Sequence, residues 1–386
     1  MRNIKLPEGW KIEKLGDLAI ISAGQGAPQN ELDYGDEGYP FIKVSNLEFL
    51  CNGGSELEVP KINDIIARKK KLRLYDRGTI IFAKSGMSCM KERVYAINEP
   101  CYIVNHLACI IPKSINSKYL MYFLKKNPPT RLIKDMSYPS IRLSDIADMK
   151  IIVPPLETQK KIVKVLEKAE NTIENRKKSI KLLDELVKSR FIGMFGDTFL
   201  NTRNFEMKQI KDVAILIKGI TYKPEQVSEN GTIVLRSSNI QNSNFDLKDI
   251  VRVDKKIDSK FLVKANDILM CNRNGSERLV GKVAKIPDRD EEMTFGTFMT
   301  IVRSSYYDYL FSFFQTDCFR RQIKMQTTVA INQISIPLLE SVKVPLPPME
   351  LQNEFSDFVT QIDKLKVETE KSLEELENIY QSLMQR

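Results

Sequence analysis

The chain contains two copies of one sequence unit. Residues 10–24 (WKIEKLGDLAIISAG) are repeated at 205–219 (FEMKQIKDVAILIKG), and residues 41–47 (FIKVSNL) are repeated at 234–240 (VLRSSNI). The offset between the copies drifts from 188 to 195 residues, about half of the 386-residue chain. A chain of this length exceeds one hydrophobic core and divides readily into two domains. Any function must therefore use two similar modules.

Composition favours a polyanionic partner. The net charge is +9 and the sequence pI is about 9.0, while the hydrophobic content of 42% is ordinary for a globular protein. Residues 1–10 contain no apolar signal core, and no later stretch has the length that a bilayer requires. The six cysteines form no Cys-x-x-Cys pair, which is typical of a reducing compartment. We therefore expect a cytoplasmic protein with no membrane partner.

Each half begins with strands and short helices and ends in one long helix. Apolar runs predict a buried strand, then a second strand slot, then a short buried helix. In the two halves these runs are Thr79–Ala83 and Asp267–Cys271, Cys101–Ile111 and Thr294–Val302, and Tyr119–Leu124 and Tyr309–Phe314.

A proline pair precedes each long helix, at 154–155 and 347–348, within the repeated segments IIVPPLETQ and VPLPPMELQ. Proline suits a helix entry because it lacks only an N–H that would stay unpaired there. The apolar residues that follow alternate at spacings of four and three, which predicts a coiled-coil seam. Each helix of about 35 residues would be about 50 Å long. The residues expected to pack the helices or dock a partner are Ile162, Leu166, Ile173, Ile180, Leu183, Phe355, Phe358, Ile362, Leu365, Leu376 and Leu383.

Polar residues interrupt this seam at Arg176, Thr369 and Ser372, which either fix the register or mark a partner site. The first helix is predicted to end near Arg190 and to continue into a linker at 193–204.

No motif predicts catalysis. Asn127-Pro-Pro-Thr130 resembles the adenine methyltransferase signature, but threonine replaces the aromatic ring that stacks on the flipped base. Residues 275–283 resemble a phosphate-binding loop with one residue too many between the glycines. Cys101, His106 and Cys109 match no common zinc spacing. We expect these segments to be structural and the chain to bind no metal.

Basic and polar segments recur at matching positions and predict DNA contacts. The run at 68–71 has a weaker counterpart in lysines at 255–264, which favours phosphate contact. Turns after the buried strands contain asparagine and arginine, the residue types that read adenine and guanine edges. Recurrence of Ser-Asn in both halves favours a shared structural or phosphate-positioning role. The candidates are Ser45, Asn46, Arg68, Lys69, Lys70, Lys71, Lys84, Ser85, Arg142, Arg236, Ser238, Asn239, Asn272, Arg273, Asn274, Lys282, Asn332 and Gln333.

The order of these features resembles the specificity subunit of type I restriction–modification systems. The resemblance rests on Leu-Pro-x-Gly-Trp at 6–10 and on Pro-Pro-Leu-Glu-x-Gln at 154–159, which opens a long helix, with the pattern duplicated over nearly the whole chain. The second copy departs modestly, with Phe205 in place of Trp10 and without an ending like Phe195-Gly-Asp.

This resemblance implies an α+β fold with two pseudo-repeated α/β target-recognition domains separated by two long antiparallel coiled-coil helices. The implied boundaries are domain 1 at 1–153, spacer helix 1 at 154–192, a linker at 193–204, domain 2 at 205–346 and spacer helix 2 at 347–386. Each domain would read one half of a bipartite site in double-stranded DNA.

The resemblance also implies partners. The helices would set the spacing and dock two adenine-methyltransferase subunits, with restriction subunits in the full complex. We expect no cofactor in this chain, with S-adenosylmethionine and ATP/Mg held by the partners. A rod of about 50 Å limits the spanned DNA to about 15 base pairs.

Two other functions stay open from the residues alone. One is a self-contained DNA methyltransferase or nuclease with duplicated recognition domains. The other is a coiled-coil scaffold that binds no DNA.

Overall fold

The computed structural model describes residues 6–325 and 333–385 and divides into two compact units. Unit 1 comprises Met1–Asn175 and Leu373–Arg386, and unit 2 comprises Arg176–Ser372. Two long helices contribute residues to both units.

Unit 1 is built from an antiparallel four-stranded sheet, a mixed three-stranded sheet and a strand pair. The strand orders are β2-β8-β5-β6, β4-β3-β7 and β1-β9, and β3 and β7 run parallel. The elements are β1 (Lys11–Lys14), α1 (Leu15–Leu18), β2 (Ala19–Ala23), β3 (Tyr39–Ile42), α2 (Asn46–Cys51), β4 (Lys61–Ile62), α3 (Asp64–Lys69), β5 (Ile80–Ala83), β6 (Val94–Ala96), β7 (Tyr102–Ile103), β8 (Leu107–Pro112), α4 (Ser117–Lys126), α5 (Leu143–Ala147), β9 (Lys150–Val153) and the first part of α6 (Leu156–Phe195).

Unit 2 repeats this topology and adds one edge strand to the mixed sheet. Its sheets have the orders β11-β20-β17-β18, β12-β16-β13-β19 and β10-β21, with an added β14-β15 hairpin, and β13 and β19 run parallel. The elements are β10 (Glu206–Gln209), α7 (Ile210–Val213), β11 (Ile215–Lys218), β12 (Val227–Ser228), β13 (Thr232–Leu235), β14 (Ile240–Gln241), β15 (Asn244–Phe245), β16 (Arg252–Val253), β17 (Ile268–Cys271), β18 (Val283–Lys285), β19 (Met293–Phe295), β20 (Met299–Arg303), α8 (Tyr307–Phe313), α9 (Asp317–Met325), α10 (Ile336–Ser341), β21 (Lys343–Leu346) and the first part of α11 (Met349–Gln385).

The predicted buried strands and short helices are confirmed as β5 and β17, and as α4 and α8. The second strand slot differs from the prediction, because it holds two strands in each unit. In unit 1, β7 joins β3 in one sheet, whereas β8 pairs with β2 and β5 in the other. Both strands are largely buried, and the turn at which the chain changes sheets is marked only by the exposed polar residues Asn105 and His106.

The long helices pack against each other within each unit. In unit 2 the Lys366 ammonium lies 2.8 Å from the Asp184 carboxylate, and Arg190 bonds to Glu354. Residue numbers therefore rise along α6 as they fall along α11, so the two segments run antiparallel. In unit 1 the Tyr380 phenol donates to Glu170 at 2.7 Å. The predicted antiparallel pairing is confirmed.

An aromatic cluster anchors the helices in unit 2. Phe355 of α11 lies 5.6 Å from Phe191 and 5.3 Å from Phe195 of α6, measured between ring centroids. Tyr309 of α8 stacks on Phe191 at 5.4 Å. All four side chains are buried, so the cluster joins both helices to the core of this unit.

One detail of the helix prediction is wrong, and one predicted seam position is not packed between the helices. The first helix continues to Phe195 rather than ending near Arg190, and it includes Gly193 from the predicted linker. Leu365 is 50% exposed, whereas its neighbour Lys366 is only 9% exposed. Lys366 takes the buried position because its ammonium bonds to Asp184 and to the Asn244 side chain.

The repeated glutamine of the proline-rich segments has a structural role. The side-chain amide of Gln159 donates to the Pro154 carbonyl at 2.8 Å, and Gln352 donates to the Pro347 carbonyl at 2.7 Å. Pro155 and Pro348, which follow these carbonyls, have no N–H group and so donate no backbone hydrogen bond at the helix start. Both glutamines are buried, and each closes the extended segment onto its helix start.

Across residues 6–325 and 333–385, no helix combines the length and apolar character needed to cross a membrane.

Candidate nucleic-acid interface

Three loop segments of unit 1 meet at the end of β5. We name them loop cluster 1: residues 84–86, 105–106 and 139–141. The Lys84 amide donates to the His106 carbonyl at 2.9 Å, and the Ile141 amide donates to the Lys84 carbonyl at 2.8 Å. These bonds join residues that are 22 and 57 positions apart, so only the tertiary fold assembles them.

Unit 2 assembles the same arrangement after β17. We name it loop cluster 2: residues 272–275, 297–298 and 333–334. The Asn272 amide donates to the Phe298 carbonyl at 3.0 Å, and the Ile334 amide donates to the Asn272 carbonyl at 2.7 Å. Because Lys84 and Asn272 form the same two hydrogen bonds, the next residues along the chain, Ser85 and Arg273, occupy equivalent positions.

The same bonds equate His106 with Phe298. In unit 1 the Ser85 hydroxyl and His106 Nδ1 are 2.8 Å apart. In unit 2 the Arg273 guanidinium lies over the Phe298 ring, 5.1 Å from its centroid. Each unit therefore presents one ring and one polar partner at the tip of its loop cluster.

Sequence reasoning missed both rings as candidates. His106 and Phe298 are exposed, although each directly precedes a buried strand. The only signal was their common position at the start of matching strands.

Gln25 connects loop cluster 1 to the basic segment, and it too was missed. Its backbone carbonyl accepts from the Asn105 amide at 2.8 Å, and its side-chain amide donates to the Lys71 carbonyl at 2.7 Å. Its side-chain oxygen accepts from the Arg73 amide. In unit 2 the Lys255 ammonium donates to the Thr221 carbonyl at 3.0 Å. Both units thus bring a basic segment beside the strand-end turn.

Close backbone approach explains the glycine that ends the first repeated segment. A Cβ at Gly24 would overlap the Ile103 carbonyl oxygen, and a Cβ at Gly219 would overlap the Gly296 carbonyl oxygen. Glycine lets these turns pack directly on the neighbouring strand end. Any larger residue would push the two segments apart.

The basic run of unit 1 is exposed, as phosphate contact requires. Arg68 and Lys69 form the last turn of α3, and Lys70 lies 3.8 Å from Asp33. Lys71 adopts a positive φ of 52°, which turns the chain toward Gln25. DNA contact by these four residues stays a prediction.

The repeated Ser-Asn pair has a shared structural role. Asn46 Oδ1 accepts from the Lys43 amide, and Asn239 Oδ1 accepts from the Arg236 amide, both at 2.8 Å. Asn239 is 1% exposed, and its amide also donates to two backbone carbonyls at 2.9 Å. The prediction that Asn239 contacts DNA is therefore wrong, since a base contact would break the turn. Ser45 is exposed and stays a candidate.

Two further candidates of unit 2 are also corrected. The Lys282 ammonium donates to the carbonyls of Ser237 and Ile240, and burial lowers the pKa of Lys282. It supports the turn that contains Ser238 rather than facing a phosphate. Asn272 is only 5% exposed, so its side chain cannot reach a base edge.

The other candidates stay predictions. Asn274 Nδ2 donates to the Ser237 hydroxyl at 3.3 Å, which joins loop cluster 2 to the turn that Lys282 supports. Arg236 pairs with Asp249 at 2.8 Å. Within the described residues, Arg236 Nε and Ser238 Oγ are buried atoms without a hydrogen-bond partner.

The placements of the last four candidates differ. Lys84 is half-buried in loop cluster 1, and Arg142 is exposed beside it. Gln333 is exposed and forms a β-bridge with Arg273 in loop cluster 2. Asn332 lies outside the described residues.

Cys101 and Cys109 lie in the core, apart from the surface position of His106. Burial raises the pKa of the Cys109 thiol to about 12 and also raises that of Cys101. Both side chains are 0% exposed, whereas His106 faces Ser85 at the surface. In the described part of the chain, no group of three or more histidine, cysteine, aspartate or glutamate side chains could hold a metal ion.

The two degenerate motifs are loops. The segment at 127–130 follows α4 and turns into a short 3₁₀ helix at Pro129–Leu132. The segment at 275–283 contains a short 3₁₀ helix and connects β17 to β18, which pair antiparallel.

Unit 2 also contains a cavity of about 600 Å³ beside α6 and α11. Four carboxylates and four cationic side chains share its lining with aromatic rings. Some of these charges pair with each other, as Lys366 does with Asp184 and Lys285 with Asp363. The lining carboxylates and cations are Asp184, Asp197, Asp317, Asp363, Lys188, Lys285, Arg321 and Lys366.

Comparison with protein families gives one match to each half of the chain. The model of the type I restriction modification DNA specificity domain matches residues 7–184 and again residues 202–378. The chain belongs to this family. The two matched copies confirm the internal duplication and the predicted family.

Relatives in this specificity family cover one half or the whole of the chain. The MjaIX specificity subunit of Methanocaldococcus jannaschii is 31% identical over 188 residues, which are 47% of this chain and 42% of that protein. The MjaVIII specificity subunit of the same organism is 23% identical over 100% of this chain and 93% of its own length. The EcoKI specificity subunit of Escherichia coli is 27% identical over 45% of this chain and 40% of that protein.

Solved structures of this family share the fold. The type I restriction-modification S subunit of M. genitalium superposes with a TM-score of 0.56 at 16% identity, over 99% of this chain and 97% of that one. A chain from a structure of complex assembly and conformational transition of the type I R-M system has a TM-score of 0.61 at 16% identity, over 99% and 98%.

Proposed function

We propose that the chain is the DNA-specificity subunit of a type I restriction–modification complex, in which each unit reads one half of a split DNA site. One observation carries the proposal. Each family match falls largely on one unit, and each unit contains the same loop cluster beside a basic segment. Two equivalent surfaces in one chain suit a target with two separate halves.

The basic segments and the loop clusters have different tasks in this proposal. Exposed cations at 68–71 and 255–264 contact phosphates, which supplies affinity without sequence preference. Side chains at the loop tips contact base edges in a groove, which supplies the sequence preference.

The helices carry the spacing and the partner contacts. We propose that α6 and α11, with 40 and 37 residues, set the length of the unread gap and dock two adenine-methyltransferase subunits. Restriction subunits complete the complex, and S-adenosylmethionine and ATP/Mg bind to the partners. The chain itself performs no catalysis, and we expect it to act in the cytoplasm. We propose the boundaries 1–153 and 205–346 as the segments to replace when one recognition domain is exchanged for that of a relative.

The decisive experiment maps methylated adenine across a genome in cells that hold the methyltransferase partner, with and without this chain. We expect a bipartite motif that disappears when the chain is absent. An unchanged map in cells that produce both proteins would contradict the proposal.

A second experiment separates the helices from the recognition domains. Adding or removing one heptad in both α6 and α11 should change the gap by a fixed number of base pairs, because the seam repeats every seven residues. The half-site sequences should stay the same. Changed half-sites with an unchanged gap would contradict the spacing role.

Salt dependence tests the phosphate contacts. Replacing Arg68 and Lys69 by alanine should reduce the slope of log affinity against log salt by about 1.8, since each phosphate contact contributes about 0.9. The matched control replaces Lys11 of β1 and Lys150 of β9, which are both exposed, and removes the same charge from a strand pair that holds no predicted contact. Equal slopes for the two variants would contradict the assignment.

The two alternative functions make different predictions. A self-contained methyltransferase would transfer a methyl group from S-adenosylmethionine to DNA without any partner. A scaffold would show no salt-dependent DNA retention, with or without a methyltransferase. The duplicated specificity-domain matches do not favour either alternative.

A further inference from the structure

The tips of the two loop clusters occupy one structural position but carry different chemistry. Equivalent backbone hydrogen bonds place Ser85 and Arg273 in the same slot. Ser85 faces an imidazole, and Arg273 faces a phenyl ring. The duplication preserved the backbone frame, while the side chains that it displays diverged. A slot with a shared frame and divergent side chains is where the specificities of the two units can differ.

Arg273 is free to receive a ligand. Its side chain is exposed, and within the described residues its guanidinium N–H groups form no hydrogen bond to protein. Its backbone is held on both sides, by the amide contact to the Phe298 carbonyl at 3.3 Å and by the β-bridge to Gln333. The backbone is thus fixed while the charged fork faces outward.

Phe298 gives this guanidinium a preferred orientation. The ring is 51% exposed, so the guanidinium that lies over it is also held at the surface. The guanidinium carbon lies 5.1 Å from the ring centroid, a distance that suits a cation–π interaction. Covering one face of the planar group restricts its rotamers and leaves the edge donors available. Fewer rotamers must then be lost when a ligand binds.

A guanine edge is the ligand that this arrangement fits best. Its O6 and N7 atoms accept the two parallel N–H groups of one guanidinium in the major groove. A phosphate can also accept from arginine, but such a contact carries no sequence information. The tip of a loop cluster whose basic segment already supplies exposed lysines has less need of another phosphate contact.

We propose that Arg273 reads a guanine in the half-site of unit 2 and that Phe298 is a positioning residue that orients its guanidinium. Ser85 and His106 occupy the corresponding slot of unit 1, and neither a hydroxyl nor an imidazole offers two parallel N–H donors. The two half-sites therefore differ at this position. This inference rests on the proposed function, because it assumes that the loop clusters face DNA.

The test selects bound sequences from a randomised bipartite DNA library with the full chain and its methyltransferase partner. Wild-type protein should select guanine at one position of one half-site. Arg273→Ala should reduce the preference for that guanine by about 5- to 150-fold, the range for a bidentate arginine contact. The other half-site should be unchanged. Arg273→Lys retains the charge but lacks the planar fork that stacks on Phe298, so it should weaken the same base preference.

Two Phe298 variants test the positioning role. Phe298→Leu retains an apolar side chain without an aromatic face and should weaken the guanine preference at the same position. Phe298→Tyr retains the aromatic face and should keep the guanine preference at the wild-type level. Loss at a different base position in Phe298→Leu would overturn the positioning role.

The matched control is Lys264→Ala, which removes one exposed positive charge from the basic segment of unit 2. It should weaken binding to all sequences equally and reduce the salt slope by about 0.9. The same uniform loss in Arg273→Ala would overturn the inference and assign Arg273 to a phosphate. An unchanged motif in both Arg273 variants would also overturn it.

Failure of the proposed function has a different signature. In that case the wild-type complex itself would select no bipartite motif, whichever variant is compared. A wild-type motif that lacks any guanine sensitive to Arg273 would overturn this inference alone.

Discussion

Replacing Tyr380 by phenylalanine should loosen the C-terminal part of α11 in unit 1. The Tyr380 phenol donates to the Glu170 carboxylate of α6 at 2.7 Å. The same carboxylate accepts from Tyr122 at 2.6 Å and from Lys125 at 3.2 Å, both on α4. Burial and the hydrogen bond to Glu170 raise the pKa of Tyr380, so the phenol stays protonated and able to donate. This network joins three helices through one carboxylate.

The expected cost follows from these contacts. A hydrogen bond to a charged group contributes about 1.5–3 kcal/mol to stability. Phenylalanine removes only the hydroxyl and keeps the ring, so no large cavity forms. Glu170 retains two of its three donors and is not left unpaired. The lower end of the range applies, about 1.5 kcal/mol, which corresponds to about a tenfold larger equilibrium constant for local opening.

Hydrogen exchange measured by mass spectrometry tests this prediction. Amides of the peptide at 373–385 should exchange about tenfold faster in Tyr380→Phe, because exchange from a locally opened helix follows the opening equilibrium. Peptides of unit 2 should be unchanged. The matched control is Gln381→Ala, an exposed position one residue further along the same helix.

Two results would refute the reasoning. Exchange in Tyr380→Phe within twofold of the wild type would mean that the hydrogen bond does not hold the helix. An equal acceleration in Gln381→Ala would mean that the helix responds to any substitution.

Three further predictions concern acidity, packing and backbone approach. Burial opposes ionisation of Glu170, but hydrogen bonds from Tyr122 and Tyr380 and the charge of Lys125 outweigh it and lower its pKa. The carboxylate therefore stabilises the fold above its unfolded pKa of about 4.3, and this contribution disappears as pH falls through the lower folded pKa. Hydrogen exchange at 373–385, corrected for intrinsic rates, should rise in that acid range. The same rise in a Glu170→Gln variant would contradict the assignment to Glu170. Phe355→Ala should lower the free energy of unfolding of unit 2 by about 3–5 kcal/mol in urea, because a fully buried ring is lost from an aromatic cluster. A decrease below about 1.5 kcal/mol would show that the cluster repacks. Gly219→Ala should lower the melting temperature of unit 2, because its Cβ would overlap a backbone carbonyl. The control Gly275→Ala should leave the melting temperature unchanged, because a Cβ there meets nothing within 4 Å. Equal melting temperatures for the two variants would refute the close approach at Gly219.

Local patterns predicted the regular elements well. The alternation of apolar residues by four and three predicted both long helices, and short apolar runs predicted β5 and β17. These signals are readable because a helix or strand repeats its own geometry along neighbouring residues. The same signals did not reveal that Leu365, a heptad position, is exposed while Lys366 is buried. The reason is non-local, because Asp184 and Asn244 supply the partners that make a buried lysine acceptable.

Candidate site residues were harder to predict, because side-chain types do not reveal which groups are already engaged. Asn239 has the composition of a base reader, but three hydrogen bonds to backbone groups hold it inside a turn. Lys282 has the charge of a phosphate ligand but bonds to two carbonyls. His106 and Phe298 shared only a position at the start of matching strands, because their contacts arise from the neighbours that the sheets bring to them.

The sequence alone determined that the protein has two similar modules, each with strands followed by a long helix. Repetition and periodicity are properties of neighbouring residues, so they can be read without a structure. Only the tertiary structure decided that residues 84–86, 105–106 and 139–141 meet in one cluster and that residues 272–275, 297–298 and 333–334 meet in its counterpart. Hydrogen bonds between loops that are distant in sequence hold each cluster together. They depend on the order in which the strands pair, which no local pattern encodes.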